Sequence, residues 1–219
     1  MTLLTRPTAL LCDFDGTLAD TEKTWDYAFD DLITEYGVTP ASGDSLGGTA
    51  DDMVDLLLAS GIEAPHNTLK SRYVDLIAKY QESEISVMPG AIETLRKVRG
   101  RVPIGVASNS PRRILENALR LSGLIHEIDV HVAEDDVAAG KPSPDLYWWL
   151  TEHLGVRPER CVVLEDSPMG ARAARAAGCY VIGVNPDPAI SIACDLRVSS
   201  LCDPVFVNWL DDALGEQNP

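Results

Sequence analysis

The chain has 219 residues and a mass of 23.7 kDa, with 45% hydrophobic and 24% charged residues. This is ordinary globular usage; it excludes disordered and fibrous architectures and suits one domain, or one domain with a modest insertion. Lys and Arg total 18 against 34 Asp and Glu, a net charge of -16 and a pI near 4.5, so the surface repels nucleic acid and anionic membranes, whose binding needs basic groups.

The five cysteines (12, 161, 179, 194 and 202) form no Cys-x-x-Cys pair. That excludes a zinc knuckle or a thioredoxin-like motif and fits reduced, mostly buried thiols in a cytoplasmic protein. Met1 to Pro7 lacks the apolar run of a signal peptide, and no run of about 18 apolar residues is present to span a membrane.

Thr8 to Cys12 is a short apolar run that stops at Asp13-Phe14-Asp15-Gly16-Thr17. It predicts a buried strand ending in a polar turn. Apolar residues at helical spacing (Trp25, Phe29, Leu32, Ile33, Tyr36) predict a helix over 22–36, closed by Gly37. Residues 49–60 repeat this grammar, with Thr49 as cap and Asp51 and Asp52 in the first turn. Residues 67–82 predict a third helix, so residues 20–88 read as all-helical, with no convincing strand.

After Pro89 the rhythm changes. Helices are predicted over 89–98, 111–121, 144–154, 168–177 and 204–214, with strands over 102–107, 128–132, 161–164 and 180–184. This alternation marks a doubly wound, Rossmann-like parallel sheet of the α/β class. The expected organisation is an α/β core (1–19 and 89–219) with an inserted all-helical cap (20–88). Open α/β sheets bind ligands beyond the carboxyl ends of their strands, so the residues after each apolar run carry the expectation of chemistry.

Those residues are Asp13 and Asp15, then Ser108-Asn109-Ser110, then Gly140-Lys141-Pro142, then Glu165-Asp166. Asp13 and Asp15, two apart, can share a face, and two close carboxylates need a cation or a shared proton. Carboxylates without histidine or thiol favour a hard ion, best Mg2+. With a lysine and small donors beside it, such an ion is equipment for handling phosphate.

The segments Asp13-Phe14-Asp15-Gly16-Thr17-Leu18, Ser108-Asn109, Gly140-Lys141-Pro142 and Glu165-Asp166-Ser167 resemble, in order and strand context, the four motifs of the haloacid dehalogenase-like superfamily. Asp20-Thr21-Glu22, Pro89-Gly90 and Pro142-Ser143-Pro144-Asp145 resemble its subgroup with a helical cap after the first motif. The resemblance implies that Asp13 is a nucleophile forming an aspartyl-phosphate and Asp15 the general acid and base. It further implies phosphate binding by Ser108, Asn109 and Lys141. Mg2+ would be held by Asp13, the Asp15 carbonyl and Asp166, with Glu165 orienting metal-bound water. The expected activity is hydrolysis of a small phosphorylated metabolite, a sugar phosphate or similar monoester.

Within the superfamily, Asp15 argues against dehalogenation, because a halide leaving group needs no proton. A phosphonatase would require a Schiff-base lysine in the cap, and Lys23 has no supporting context. A β-phosphoglucomutase is the main rival, and a catalytically silent binding protein on the same fold is another. Against the mutase, its cap histidine aligns with Trp25 and its phosphate-binding cap arginine with Ala50. Residues 20–88 also carry four cations against fourteen acids, a balance of -10, which makes a poor host for a second phosphate. Trp25, beside the active-site end of the cap, is a candidate substrate contact. Arg112, Arg113 and the four histidines read as surface or structural, and Trp148 and Trp149 as core packing. Oligomeric state has no sequence signal.

Overall fold

The computed structural model describes residues 6–41 and 48–215. Met1–Thr5, most of the stretch read for a signal peptide, and Asp44, one of the counted acids, lie outside them.

Six strands form one parallel sheet: β1 (Ala9–Asp13), β4 (Ile104–Ala107), β5 (Val130–Val132), β6 (Cys161–Glu165), β7 (Tyr180–Val184) and β8 (Leu196–Val198), in the spatial order β5-β4-β1-β6-β7-β8. Strand β1, ALLCD, is buried at every position because both sheet faces are covered. The two-residue alternation divides its side chains. Leu10 and Cys12 join the core under helices α4 (Ala91–Val98), α5 (Arg112–Leu121) and α8 (Pro204–Leu214). Ala9 and Leu11 join the opposite core under α6 (Asp145–Leu154) and α7 (Pro168–Ala176).

Between β1 and α4 lie three helices, α1 (Glu22–Tyr36), α2 (Ala50–Ala59) and α3 (His66–Glu84). Helix α1 ends where Gly37 takes a left-handed φ of 64°, which lets its N–H reach back to the last carbonyls. Helix α2 starts in a capping box: the Asp52 N–H donates to Thr49 Oγ1 at 3.2 Å, and the Thr49 N–H donates to Asp52 Oδ2 at 2.7 Å. The three helices share their own apolar cluster, including Leu32, Leu57, Leu69, Tyr73 and Ile77.

Two differences from the sequence reading stand out. A two-strand antiparallel ribbon, β2 (Ala19–Asp20) with β3 (Ser86–Val87), closes the base of the insertion. Strand β8 adds an edge that the sequence pattern did not suggest. Each has at most three residues, too short to display alternation. Trp148, expected in the core, is 48% exposed, while Trp149 packs against the core under α6 as expected and also stacks on His153.

The insertion docks on α5. Gln81 donates to the Ile114 carbonyl at 3.3 Å and accepts from Asn117 at 2.8 Å, while Arg113 pairs with Asp75 at 2.6 Å. A second tie joins Lys70 of α3 to Glu134, just beyond β5, at 3.6 Å, and Lys70 also holds Asp51 of α2 at 2.8 Å. Burial pushes the Glu134 carboxyl up to about 7, Lys70 opposing and Asp51 and Asp135 adding to the rise. An acid whose folded pKa is raised favours folding below its unfolded pKa, near 4.5, and loses that contribution as pH climbs through 7. Glutamine does not titrate. The melting temperature of Glu134→Gln relative to the parent should therefore rise between pH 5 and pH 8; a difference constant across that range would contradict the assignment.

Candidate active site

Sheet register assembles the site. Asp13, the last residue of β1, pairs with Ala107 of β4, so Ser108 emerges directly beyond it. On the other side Cys12 pairs with Leu164, which brings Glu165 and Asp166 to the same level. The segment between β5 and α6 supplies Lys141 at this sheet end.

Lys141 is buried, 5% exposed, beside Asp13 at 6% and Glu165 at 0%. Its ammonium donates to Asp13 Oδ1 at 2.5 Å and to the Ala107 carbonyl at 3.2 Å, and it lies 2.7 Å from Glu165 Oε1. Three oxygens thus take the three protons of one ammonium. Burial alone would lower the Lys141 pKa, but Asp13 and Glu165 raise it, so the group stays charged. Among the described residues, no other cation is paired with these carboxylates.

Asp13 Oδ2 is buried and has no hydrogen-bond partner. Burial pushes the Asp13 carboxyl up to about 8, Lys141 pulling it down and Glu165 and Asp15 pushing it further up. Burial, then Asp13 and Glu165, likewise push the Asp166 carboxyl well above its usual range. Oxygens of Asp13, Glu165 and Asp166 lie within 4.8 Å of one another. Three acids against one lysine leave an excess of carboxylates in a desolvated place, with Asp13 Oδ2 lacking a donor. A divalent cation fits this donor set.

Asp15 is held by three hydroxyls. Thr21 donates to Oδ1 at 2.6 Å; Ser108 and Ser110 donate to Oδ2 at 2.5 Å and 2.9 Å. The Asn109 side chain clamps the backbone of Lys141, accepting its N–H at 2.7 Å and donating to its carbonyl at 3.2 Å. Asp166 accepts from Thr17 at 3.4 Å, and its carbonyl accepts from Asn185 at 3.0 Å. Glu165 accepts from the Tyr147 hydroxyl at 2.5 Å.

Asp13, Asp15, Ser108, Asn109, Lys141, Glu165 and Asp166 therefore converge at one end of the sheet. The structure puts the Ser108, Asn109 and Lys141 side chains on protein partners. Trp25 packs edge-on to Tyr73 at 5.7 Å, within the insertion's cluster. His66, His131 and His153 find partners elsewhere, and Arg112 and Arg113 are engaged by carboxylates. Sequence reasoning missed Tyr147 and Asn185, and noted Thr21 and Ser110 without assigning them. Ser110 had a signal in its place beside Ser108; Tyr147 and Asn185 sit in ordinary helix and loop contexts.

The sequence pattern of haloacid dehalogenase-like hydrolases matches residues 10–184. The chain belongs to that family. It is 30% identical over 186 residues to a fructose-1-phosphate phosphatase of Escherichia coli, covering 82% of this chain and 97% of that one. It is 32% identical over 179 residues to a validoxylamine A 7'-phosphate phosphatase of Streptomyces hygroscopicus, covering 80% and 84%. Its fold matches CbbY of Rhodobacter sphaeroides, solved with phosphate, at a TM-score of 0.83 and 28% identity, covering 94% of this chain and 99% of that one. No described helix is long and apolar enough to cross a membrane.

Gly16 carries the close approach behind Asp166. It has φ +84°, and an added Cβ would lie 2.3 Å from Asp166 Oδ2. Gly16→Ala should cost about 1–3 kcal/mol in backbone strain and displace the Asp166 carboxylate. Denaturant unfolding and turnover should both fall; a variant with parental stability and activity would contradict this packing.

Proposed function

We propose that this hydrolase is a Mg2+-dependent phosphomonoesterase acting on a phosphorylated sugar or similar small monoester. The observation that carries the reading is Asp13: one oxygen is pinned by a buried ammonium, and the other is open among carboxylates that call for a cation. The names of its relatives, phosphatases of a sugar phosphate and a validoxylamine phosphate, support the substrate class.

In this reading Asp13 attacks phosphorus in line and becomes an aspartyl-phosphate, dividing one hard displacement into two. Asp15 protonates the leaving oxygen and then takes a proton from the hydrolytic water. The hydroxyls of Thr21, Ser108 and Ser110 hold Asp15 meanwhile, and Ser108 turns to the phosphoryl oxygens as substrate enters. Lys141 pulls the Asp13 pKa back against the rise from burial and offsets the repulsion between two anions. Asn109 anchors the Lys141 backbone and offers its amide to the phosphate. Mg2+, held by Asp13, the Asp15 carbonyl and Asp166, would supply further neutralisation of phosphoryl charge.

Residues 20–88 act as a cap over this site, hinged at the β2–β3 ribbon. Three of its four cations are engaged: Lys70 pairs with Asp51 and Glu134, Arg72 with Glu35, and Lys79 lies 5.1 Å from the Tyr80 ring centre, which leaves Lys23. A neutral, hydroxylated remainder suits such a cap. Thr21, by holding Asp15, brings the start of α1 beside the site, which supports Trp25 as a contact to that remainder.

Release of phosphate from p-nitrophenyl phosphate and a panel of sugar monophosphates tests the proposal. Turnover should require Mg2+, vanish on chelation and return on its addition. Conversion of β-glucose 1-phosphate to glucose 6-phosphate without free phosphate would replace the reading by a mutase. Separately, Asp13→Asn should abolish turnover while the circular dichroism spectrum and melt remain those of a folded protein; retained turnover would remove Asp13 from its role.

A further inference from the structure

Glu165 faces two demands. Its carboxylate lies within the acidic group that can hold a cation, and the same carboxylate pairs with Lys141. Both of its oxygens are fully enclosed at the end of β6. Oε1 receives the Tyr147 hydroxyl at 2.5 Å and lies 2.7 Å from Lys141 Nζ, while Ser167 Oγ stands 3.4 Å from Oε2. The first turn of α7 closes the remaining side: a Cβ on Gly170 would lie only 1.9 Å from Oε1.

Tyr147 touches both partners of this pair. Its hydroxyl meets Glu165, and the Lys141 ammonium lies 5.5 Å from its ring centre, within reach of a cation–π attraction. The side chain is fully buried in α6, and among the described residues its hydroxyl donates to Glu165. Two donors converging on one oxygen fix the carboxylate's rotation, because turning toward the cation would strand a buried phenol without an acceptor.

We propose that Tyr147 is a positioning residue that commits Glu165 to Lys141, so that Lys141 stays on Asp13 Oδ1 and the cation is left to Asp13 and Asp166. The proposal rests on the phosphatase reading for its kinetic consequence but not for its effect on metal binding. Without the hydroxyl, Glu165 is free to swing onto the ion, Lys141 loses its second carboxylate, and Asp13 loses alignment.

The test is Tyr147→Phe, which keeps the ring and removes the hydroxyl, alone and with Glu165→Gln. Mg2+ binding measured by titration calorimetry should tighten about threefold or more in Tyr147→Phe as a third carboxylate joins the ion. In the Glu165→Gln background the same change should alter Mg2+ affinity by less than about 1.5-fold, because the coupled partner is gone. On p-nitrophenyl phosphate, kcat should fall about tenfold or more with KM within about twofold, the size expected for loss of an outer support. Unchanged Mg2+ affinity and kcat, or equal effects with and without Glu165, would overturn the proposal. If the parent binds Mg2+ but releases no phosphate from any ester, the phosphatase reading fails while the calorimetric cycle still decides the role of Tyr147. Should Tyr147→Phe not fold, a crystal structure of the parent protein with Mg2+ decides: Glu165 on Tyr147 and Lys141 supports the assignment, and Glu165 on the ion overturns it.

Discussion

The buried contact between the Lys141 ammonium and the Asp13 carboxylate is the constraint around which the rest is arranged. A buried ion pair is costly unless its remaining protons and lone pairs are satisfied. Here the ammonium has three oxygen partners, and the burden moves to the acids, which outnumber it. Asp13 keeps one oxygen unpartnered, and Asp166 and Glu165 crowd the same place. A scaffold that gathers carboxylates in this way could hold a cation.

The parallel sheet makes this concentration possible. Parallel strands end at one level, so Asp13, Ser108 and Glu165-Asp166 meet because β4 and β6 flank β1 in register. Glycines then permit the close approaches that side chains would forbid, at Gly16 behind Asp166 and at Gly140, where a Cβ would lie 2.7 Å from Asn109 Oδ1. The three added helices enter directly after β1 and the β2 strand. Thr21, just before the first of them, binds Asp15, so the acid/base candidate is tied to the segment that leads into them. Fold order and chemistry are linked there by one hydrogen bond.

Much of this was legible beforehand. Helix α1 begins and ends as its apolar spacing and Gly37 require, and Thr49 caps α2 as its side chain allows. Asp-x-Asp or Glu-Asp alone has ordinary structural uses; the strand-end residues were readable because carboxylates, hydroxyls and a lysine fall together at successive strand ends. Strand β8 was not legible: Leu196 and Val198 are apolar, but with Arg197 between them, held by carbonyls of Asn185 and Ile190, three residues are too few to form a readable pattern. The engagement of site residues was also hidden. Nothing in the spacing of Ser108, Ser110 and Thr21 reveals that all three donate to Asp15, and Tyr147 looks like any aromatic in a packed helix. Such partnerships depend on tertiary distance, which local pattern does not encode.

The central claim is that the open oxygen chemistry of Asp13 is spent on phosphorus. Rapid quenching of the enzyme with a radiolabelled phosphate monoester, followed by peptide mapping, addresses it most directly. The account predicts acid-stable label appearing on the peptide containing residue 13 and decaying as free phosphate accumulates. Phosphate release with no label on the protein, or label on another residue, would contradict it.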